Sequence, residues 1–150
     1  MNNSEKRFRD MCVSRNWNVS KASKHQDIYE HWDFKVQDSL IDVKGLKRTS
    51  RSDNHFNHEE IWVEFQNVRG QKGWMRGKAD YLAFEHENHF LIVSRQGLLD
   101  WCKSKITNKS FVSSPRDALY RLYQRKDRKD IISIIKTADF IKDVDHWILK

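Results

Sequence analysis

Proline, glycine and cysteine are scarce in this sequence, and long apolar runs are missing. Its 150 residues include one proline, five glycines and two cysteines. Because linkers are usually rich in proline, glycine or serine, this scarcity gives no sign of a linker, and no internal repeat or low-complexity tract stands out. A chain of 150 residues can bury one core, so we expect a single domain over residues 1–150.

The two cysteines, Cys12 and Cys102, form no Cys-X-X-Cys pair and lack the Cys/His spacing of a zinc site. Each lies beside apolar residues, so both are predicted to be buried thiols. The longest apolar runs, such as residues 90–93, are far shorter than the roughly twenty residues of a membrane-spanning helix. The first residues also lack the apolar stretch of a secretory signal. We therefore expect a cytoplasmic protein that does not contact membranes.

Lysine and arginine outnumber aspartate and glutamate by 28 to 21, which gives a formal net charge of +7 with neutral histidines. A basic excess favours a polyanionic partner through phosphate contacts and counterion release, although it also serves solubility. The basic residues fall into three clusters, which are Lys44, Lys47, Arg48 and Arg51, then Arg69, Lys72, Arg76 and Lys78, then Arg121, Arg125, Lys126, Arg128 and Lys129. The first cluster is interpreted as a DNA contact, whereas for the third a solvated face is slightly preferred to a functional surface.

Apolar periodicity predicts helices alternating with strands. Phe8, Met11 and Cys12 recur at helical spacing after Ser4, which can cap a helix that ends near Arg15. The other predicted elements are strands over 17–19, 28–36, 40–46 and 61–68, a hairpin over 77–95, a helix over 97–105, a helix start at Ser114, an edge strand or a helix over 130–135 and a helix over 137–144. This order indicates an α/β domain with a mixed β-sheet flanked by helices.

One carboxylate interrupts an apolar strand, because Ile41 and Val43 flank Asp42. Alternation along the strand places Asp42 and Lys44 on one face and Val43 toward the core. A hairpin with the preceding strand then brings Asp33 beside Asp42. The structural alternative is a surface salt bridge, but such pairs contribute only about 0–1 kcal/mol, which gives no reason for a carboxylate inside an apolar strand.

Asp33, followed by Asp42-Val43-Lys44 on the next strand, resembles the motif of the PD-(D/E)XK nuclease superfamily, which includes restriction-endonuclease-like and Holliday-junction-resolvase-like proteins. By motif order the resemblance covers roughly the first two thirds of the chain. It implies a restriction-endonuclease-like mixed sheet with an αβββαβ-type core. One departure is Trp32, which stands where the family pattern has a proline.

The resemblance implies an endonuclease that hydrolyses DNA phosphodiester bonds with Mg²⁺ or Mn²⁺. Asp33 and Asp42 offer the hard oxygen ligands that these cations prefer, and the family pattern adds the backbone carbonyl of Val43. Lys44 would orient the attacking water or stabilise the developing negative charge. Glu5 either completes the acidic set from the first helix or serves only as a favourable first-turn acid.

Three further polar residues are candidate accessory groups. His31 lies two residues before Asp33, and it either touches the substrate or the outer shell of the metal or is an ordinary strand histidine. Glu64 and Gln66 share one face of a predicted strand. They either reach the metal site or form an outward polar face.

Basic residues around the acids are expected to bind the DNA backbone. The predicted nucleic-acid-binding residues are Lys47, Arg48, Arg51, Arg69, Lys72, Trp74, Arg76 and Lys78. Trp74 can stack on a splayed base, or it can instead cover the edge of the core. RNA stays an alternative substrate, and a homodimer is an option because two strands need two sites.

A non-catalytic nucleic-acid-binding module on a nuclease-like fold is the alternative function. It accounts equally well for the basic charge and the polar loop over residues 47–59. It leaves the combination of Asp33, Asp42 and Lys44 unexplained. Cleavage assays with divalent cations separate the two hypotheses.

Overall fold

The computed structural model describes residues 1–48 and 56–150, with the backbone alone for residues 47, 48, 56 and 57. Arg51 lies outside the described residues. The chain is divided into two compact units. The first unit contains residues 1–58, 78–95 and 145–150, and the second unit contains residues 59–77 and 96–144. That the whole chain is one nuclease-like domain stays a prediction.

The described chain contains three α-helices and twelve strands. In chain order they are α1 (Asn3–Val13), β1 (Val19–Lys21), β2 (Phe34–Val36), β3 (Ser39–Lys44), β4 (Lys47–Arg48), β5 (Phe56–Asn57), β6 (Glu60–Gln66), β7 (Tyr81–Glu85), β8 (Phe90–Ser94), α2 (Arg95–Lys105), β9 (Phe111–Val112), β10 (Leu122–Tyr123), β11 (Ile131–Lys136), α3 (Thr137–Phe140) and β12 (His146–Leu149). Residues Gln26–Glu30 form a π-helical turn, and Trp74–Arg76 and Pro115–Asp117 form 3₁₀ turns.

The first unit is built on a six-stranded sheet with the order β1-β2-β3-β7-β8-β12. The β3 and β7 strands pair in parallel, whereas all the other neighbours in this sheet pair antiparallel. The predicted α/β class with a mixed sheet is therefore confirmed. None of the helices in the described part of the chain combines the length and the apolar character that crossing a bilayer requires.

Helix α1 packs its apolar stripe against one face of this sheet. Phe8 and Cys12 are buried with Phe34, Ile41 and Phe90 in a single cluster. The Phe8 and Phe90 rings meet edge to face with centroids 5.4 Å apart. Both cysteines are free and buried, as predicted, and burial raises the pKa of the Cys12 thiol to about 11.

The second unit contains a four-stranded sheet with the order β6-β11-β10-β9. The β11 strand lies between β6 and β10, which settles the choice between strand and helix for residues 130–135 and makes it an inner strand rather than an edge strand. Ile61, Val63 and Ile135 are buried on one face of this sheet. The last helix was predicted over residues 137–144 and is shorter in the structure, where α3 ends at Phe140.

The predicted strand over residues 28–36 is wrong in its first half. Ser23 and Gln26 cap each other, since the Ser23 N–H donates to Gln26 Oε1 at 2.8 Å and the Gln26 N–H donates to Ser23 Oγ at 3.1 Å. This capping box starts a helical turn, which ends at His31 with a left-handed φ of 59°. His31 therefore precedes the strand instead of lying on it, and extended structure begins near Asp33.

Candidate active site

Asp33 and Asp42 lie opposite each other at the start of the β2–β3 hairpin. Phe34 pairs with Ile41 in this hairpin, so continuing the register by one residue places Asp33 across from Asp42. The Asp33 N–H donates to the Ile41 carbonyl at 2.8 Å. The Asp33 carboxylate accepts the Val43 N–H at 2.7 Å, which fixes its orientation beside β3.

Alternation along β3 separates the acid from the core-facing residues. Ile41 and Val43 join the apolar cluster under α1. Lys44 and Asp42 share a face, with Lys44 Nζ 3.1 Å from Asp42 Oδ2. Asp42 Oδ2 is buried without a hydrogen-bond partner among the described residues, although the Lys44 ammonium lies at ion-pair distance. One carboxylate oxygen thus retains capacity for a further cation.

Glu5 reaches the same pair of strands from the first turn of α1. Its backbone N–H donates to Asn2 Oδ1 at 2.8 Å, and its Oε2 accepts the Asn2 N–H at 2.9 Å. This capping box makes Asn2 the N-cap, where Ser4 had been predicted. Glu5 Oε1 binds Lys21 Nζ at 3.2 Å. Glu5 therefore has a structural role in the helix cap and also carries a charge next to Asp33.

Lys21, at the end of β1, connects the acids of this site. Its Nζ lies 3.2 Å from Glu5 Oε1, 3.8 Å from Asp33 Oδ1 and 5.1 Å from the centre of the Phe34 ring. Sequence analysis missed this residue, because Lys21 belongs to no motif. The one signal in the sequence was the short strand that pairs with the strand after Asp33. The strand predicted there ends at Val19 and therefore does not include Lys21.

The ionisation of Asp33 shows how crowded with negative charge this site is. The pKa of Asp33 is raised to about 8. The causes are burial, the charge of Asp42, a hydrogen bond with the Asp42 carboxyl and the charge of Glu5, whereas the hydrogen bond from the Val43 N–H lowers the pKa. Burial also opposes ionisation of Glu5, but its bonds from Asn2 and Lys21 leave its pKa lowered. A bound cation would relieve the cost of ionising Asp33.

The two lysines form the more exposed side of the acid pair. The Asp33 and Asp42 side chains are only 9% and 8% exposed, whereas those of Lys21 and Lys44 are 35% and 21% exposed. A negatively charged ligand arriving from solvent therefore meets ammonium groups before carboxylates. This arrangement suits a phosphodiester, which the bare carboxylates would repel.

Glu85, on β7, ties α1 to the chain just after β3. Its carboxylate accepts the Ser4 hydroxyl at 2.7 Å, the Leu46 N–H at 3.1 Å and an Arg7 N–H at 3.1 Å. Although burial opposes ionisation, these three donors lower the pKa of Glu85. Glu85 thus holds the first turn of α1, which carries Glu5, in register with the end of the strand that carries Lys44.

The donor set, two carboxylates, fits a hard divalent cation that keeps several of its waters. Asp33 and Asp42 offer carboxylate oxygens of the kind that Mg²⁺ and Mn²⁺ prefer, and one of these oxygens, Asp42 Oδ2, is buried without a hydrogen-bond partner among the described residues. Within residues 1–48 and 56–150, no three side chains of histidine, cysteine, aspartate or glutamate are arranged to hold a metal ion. Mg²⁺ commonly takes one or two carboxylates and keeps several waters, so two acids are a sufficient protein contribution.

The candidate accessory groups belong to different units of the chain. His31 belongs to the first unit, where it takes a left-handed conformation two residues before Asp33. Glu64 and Gln66 lie on β6 of the second unit, where both are half-buried. The Gln66 side-chain amide donates to the Lys129 carbonyl at 2.7 Å, which gives Gln66 a structural contact of its own.

The predicted nucleic-acid-binding residues also divide between the two units. Arg69, Lys72 and Arg76 are exposed in the second unit, and Lys78 is exposed in the first, 3.7 Å from Glu30. Trp74 is half-buried in its 3₁₀ turn. The backbones of Lys47 and Arg48 form β4, which pairs with β5. No family model, curated protein or solved structure matches this chain.

Proposed function

We propose that this protein is a divalent-cation-dependent endonuclease that hydrolyses DNA phosphodiester bonds. The observation that carries the proposal is the pair Asp33 and Asp42, opposed on neighbouring extended segments, with Lys44 Nζ 3.1 Å from Asp42 Oδ2. The αβββαβ-type core, the cytoplasmic location and the homodimer belong to the same proposal. The mixed sheet, in which β3 runs parallel to β7, is compatible with that core.

Asp33 and Asp42 would hold Mg²⁺ or Mn²⁺, with the backbone carbonyl of Val43 as a further ligand suggested by the family resemblance. The cation would neutralise phosphate charge and lower the pKa of a bound water. The ammonium group of Lys44 lies beside Asp42. It would stabilise the negative charge that develops on the phosphate oxygens, or it would orient the water. Lys21 supplies a second positive charge on the exposed side of Asp33.

The purified protein should nick or cleave DNA with Mg²⁺ or Mn²⁺ and lose this activity in EDTA. The test panel consists of duplex, single-stranded and branched DNA and of RNA with the same sequences. Gel analysis of end-labelled strands identifies the products. If the protein cleaved RNA alone, RNA would replace DNA as the proposed substrate. No cleavage of any member with either cation would overturn the proposal.

Lys44→Ala should lower the cleavage rate about a hundredfold at saturating cation, because the charge that stabilises the transition state is lost. Binding of the same oligonucleotide in EDTA should change little, since one partly exposed ammonium contributes little to a large phosphate interface. Lys35→Ala is the matched control, because Lys35 is exposed on the same hairpin. Equal rates for Lys44→Ala and wild type would remove Lys44 from the mechanism.

Lys21→Met should raise the affinity for Mn²⁺ about tenfold, because the ammonium beside Glu5 and Asp33 repels a second cation there. Calorimetric titration with Mn²⁺ measures this directly. Lys24→Met is the control, since Lys24 is exposed nearby and makes no ion pair within the described part of the chain. Weaker Mn²⁺ binding by Lys21→Met would instead show that Lys21 holds the carboxylates in their binding arrangement.

The second candidate function is a non-catalytic nucleic-acid-binding module, and one observation favours it. Lys21 and Lys44 already form ion pairs with Glu5, Asp33 and Asp42 within the protein. These ion pairs offset part of the negative charge of the acids without a metal. Salt-dependent binding of nucleic acid with no cleavage across the panel would establish this function.

A further inference from the structure

Two basic segments far apart in the sequence come together at one end of the second unit's sheet. The β6 and β11 strands pair antiparallel, with Gln66 opposite Ile131. The turn after β6, residues 67–72, and the turn before β11, residues 124–130, therefore lie at the same end. A Cβ built on Gly70 would lie 3.3 Å from Lys129 Cδ, which shows that the two turns touch.

Polar contacts hold both turns in fixed conformations. Asn67 Oδ1 accepts the backbone N–H groups of Arg69 and Gln71, each at 3.0 Å, and Gly70 takes the left-handed φ of 80° that the turn needs. The Lys129 carbonyl accepts the Gln66 side-chain amide at 2.7 Å. The backbone that carries the cations is thus ordered before any ligand binds, which lowers the entropic cost of binding.

The cations of these turns are exposed and poorly matched by acids. Arg125 is the exception, because it pairs with the buried carboxylate of Asp130. Asp127 is the one exposed acid in the two turns. Four other exposed cations of these two turns make no ion pair within the described part of the chain, namely Arg69, Lys126, Arg128 and Lys129.

The charge of the whole chain is concentrated in the unit that carries these turns. The second unit has 14 lysines and arginines against 9 aspartates and glutamates, a net charge of +5. The first unit has 14 against 12, a net charge of +2. A surface that serves solubility usually mixes both signs. In the two turns, the four exposed cations without an ion pair outnumber the one exposed acid and repel one another, and that repulsion is relieved when a polyanion binds.

We propose that the two turns, residues 67–72 and 124–130, form one surface that binds the phosphate backbone of nucleic acid. This replaces the interpretation of the third basic cluster as a solvated face. The inference rests on the proposed function, since nucleic acid is the substrate of that function. It adds a binding surface in the second unit, whereas the candidate active site lies in the first unit.

The test compares two double variants of the full chain that remove the same charge. Arg128→Gln/Lys129→Gln neutralises the proposed surface, and Lys103→Gln/Lys142→Gln neutralises two other exposed lysines of the second unit. Fluorescence anisotropy with a labelled duplex and its single strand, in EDTA and over a series of NaCl concentrations, gives Kd and its salt dependence.

The Arg128→Gln/Lys129→Gln variant should bind about tenfold more weakly at ~0.1 M salt, and the slope of log Kd against log salt should fall by about two. The Lys103→Gln/Lys142→Gln variant should bind like wild type. If both variants weakened nucleic-acid binding equally, or if neither changed it, the proposed binding surface would be contradicted. A wild-type protein that binds no nucleic acid but binds phosphatidylserine vesicles would contradict it as well.

Failure of the surface and failure of the proposed nuclease are distinguishable in these assays. Cleavage by wild type with unchanged binding by Arg128→Gln/Lys129→Gln overturns the surface and leaves the nuclease proposal intact. Binding that this variant weakens, without cleavage of any substrate by wild type, supports the surface and overturns the nuclease.

Discussion

Asp42→Asn should lower DNA cleavage about a thousandfold or more while the protein remains folded and binds the same DNA. An amide in place of the carboxylate keeps the shape of the side chain but withdraws a negative charge from the proposed cation site. Asp33 is then the one carboxylate left of the pair, so half of the negative charge that the pair offers to the cation is lost.

The fold should tolerate this substitution because Asp42 is one of two buried acids that repel each other. Its negative charge is among the causes that raise the pKa of Asp33. Removing it relieves that repulsion, although it also breaks the ion pair with Lys44. Circular dichroism and the midpoint of thermal unfolding check the fold, and anisotropy in EDTA checks binding.

Asp38→Asn is the matched control for the loss of activity. Asp38 is an exposed acid at the turn of the same hairpin, and its substitution removes the same charge. This variant should cleave DNA at the wild-type rate. If Asp42→Asn retained wild-type cleavage, the acid pair would have no part in the reaction.

Without divalent cations, the stability of the protein should fall as pH rises from about 4 to about 8, owing to Asp33. The folded-state pKa of Asp33 is raised to about 8 from the ordinary value of 3.8. Between these values the unfolded chain has released the proton while the folded chain keeps it. The folded state therefore binds more protons, and its free energy of unfolding decreases with pH. The free energy of unfolding therefore falls progressively through this window, and the effect of Asp33 on it levels off above a pH of about 8.

Comparing urea unfolding of wild type and Asp33→Asn isolates this contribution. Asparagine does not titrate, so the variant should gain on the order of 3 kcal/mol relative to wild type between pH 5 and about 8.5. Asp38→Asn should follow the wild-type pH profile. Adding Mn²⁺ at the upper end of the range should restabilise wild type but not Asp33→Asn. Parallel profiles for wild type and Asp33→Asn would contradict the raised pKa.

Local patterns predicted the part of the site that lies on one strand. Ile41, Asp42, Val43 and Lys44 alternate between the core and the acid-bearing face because strand geometry fixes the period at two residues. The stripe of Phe8 and Cys12 was equally clear. Each of these inferences needed only neighbours in the sequence.

Contacts between distant segments were not predictable in the same way. Lys21 reaches Glu5 and Asp33 only because β1 pairs with β2, and a three-residue strand leaves a weak signal. The predicted strand over residues 28–36 overlaps the helical turn over residues 26–30, which the Ser23–Gln26 capping box starts upstream of that strand. Local hydrogen bonds prevailed there over the periodic pattern.

The basic clusters illustrate the same limit. Sequence alone places Arg69 and Lys129 sixty residues apart, and each cluster by itself is typical of a solvated face. Their convergence depends on the antiparallel pairing of β6 with β11, which no local pattern specifies. Charge that is spread along the chain becomes a surface only after the strands pair.

The most direct measurement is anomalous X-ray scattering from Mn²⁺ in crystals of the wild-type protein. We expect one ion within about 2.5 Å of carboxylate oxygens of both Asp33 and Asp42, with Lys44 beside it. Crystals of Asp42→Asn grown under the same conditions should lack that peak. Manganese bound elsewhere, with Asp33 and Asp42 still paired only to Lys21 and Lys44, would contradict the cation site on which the account depends.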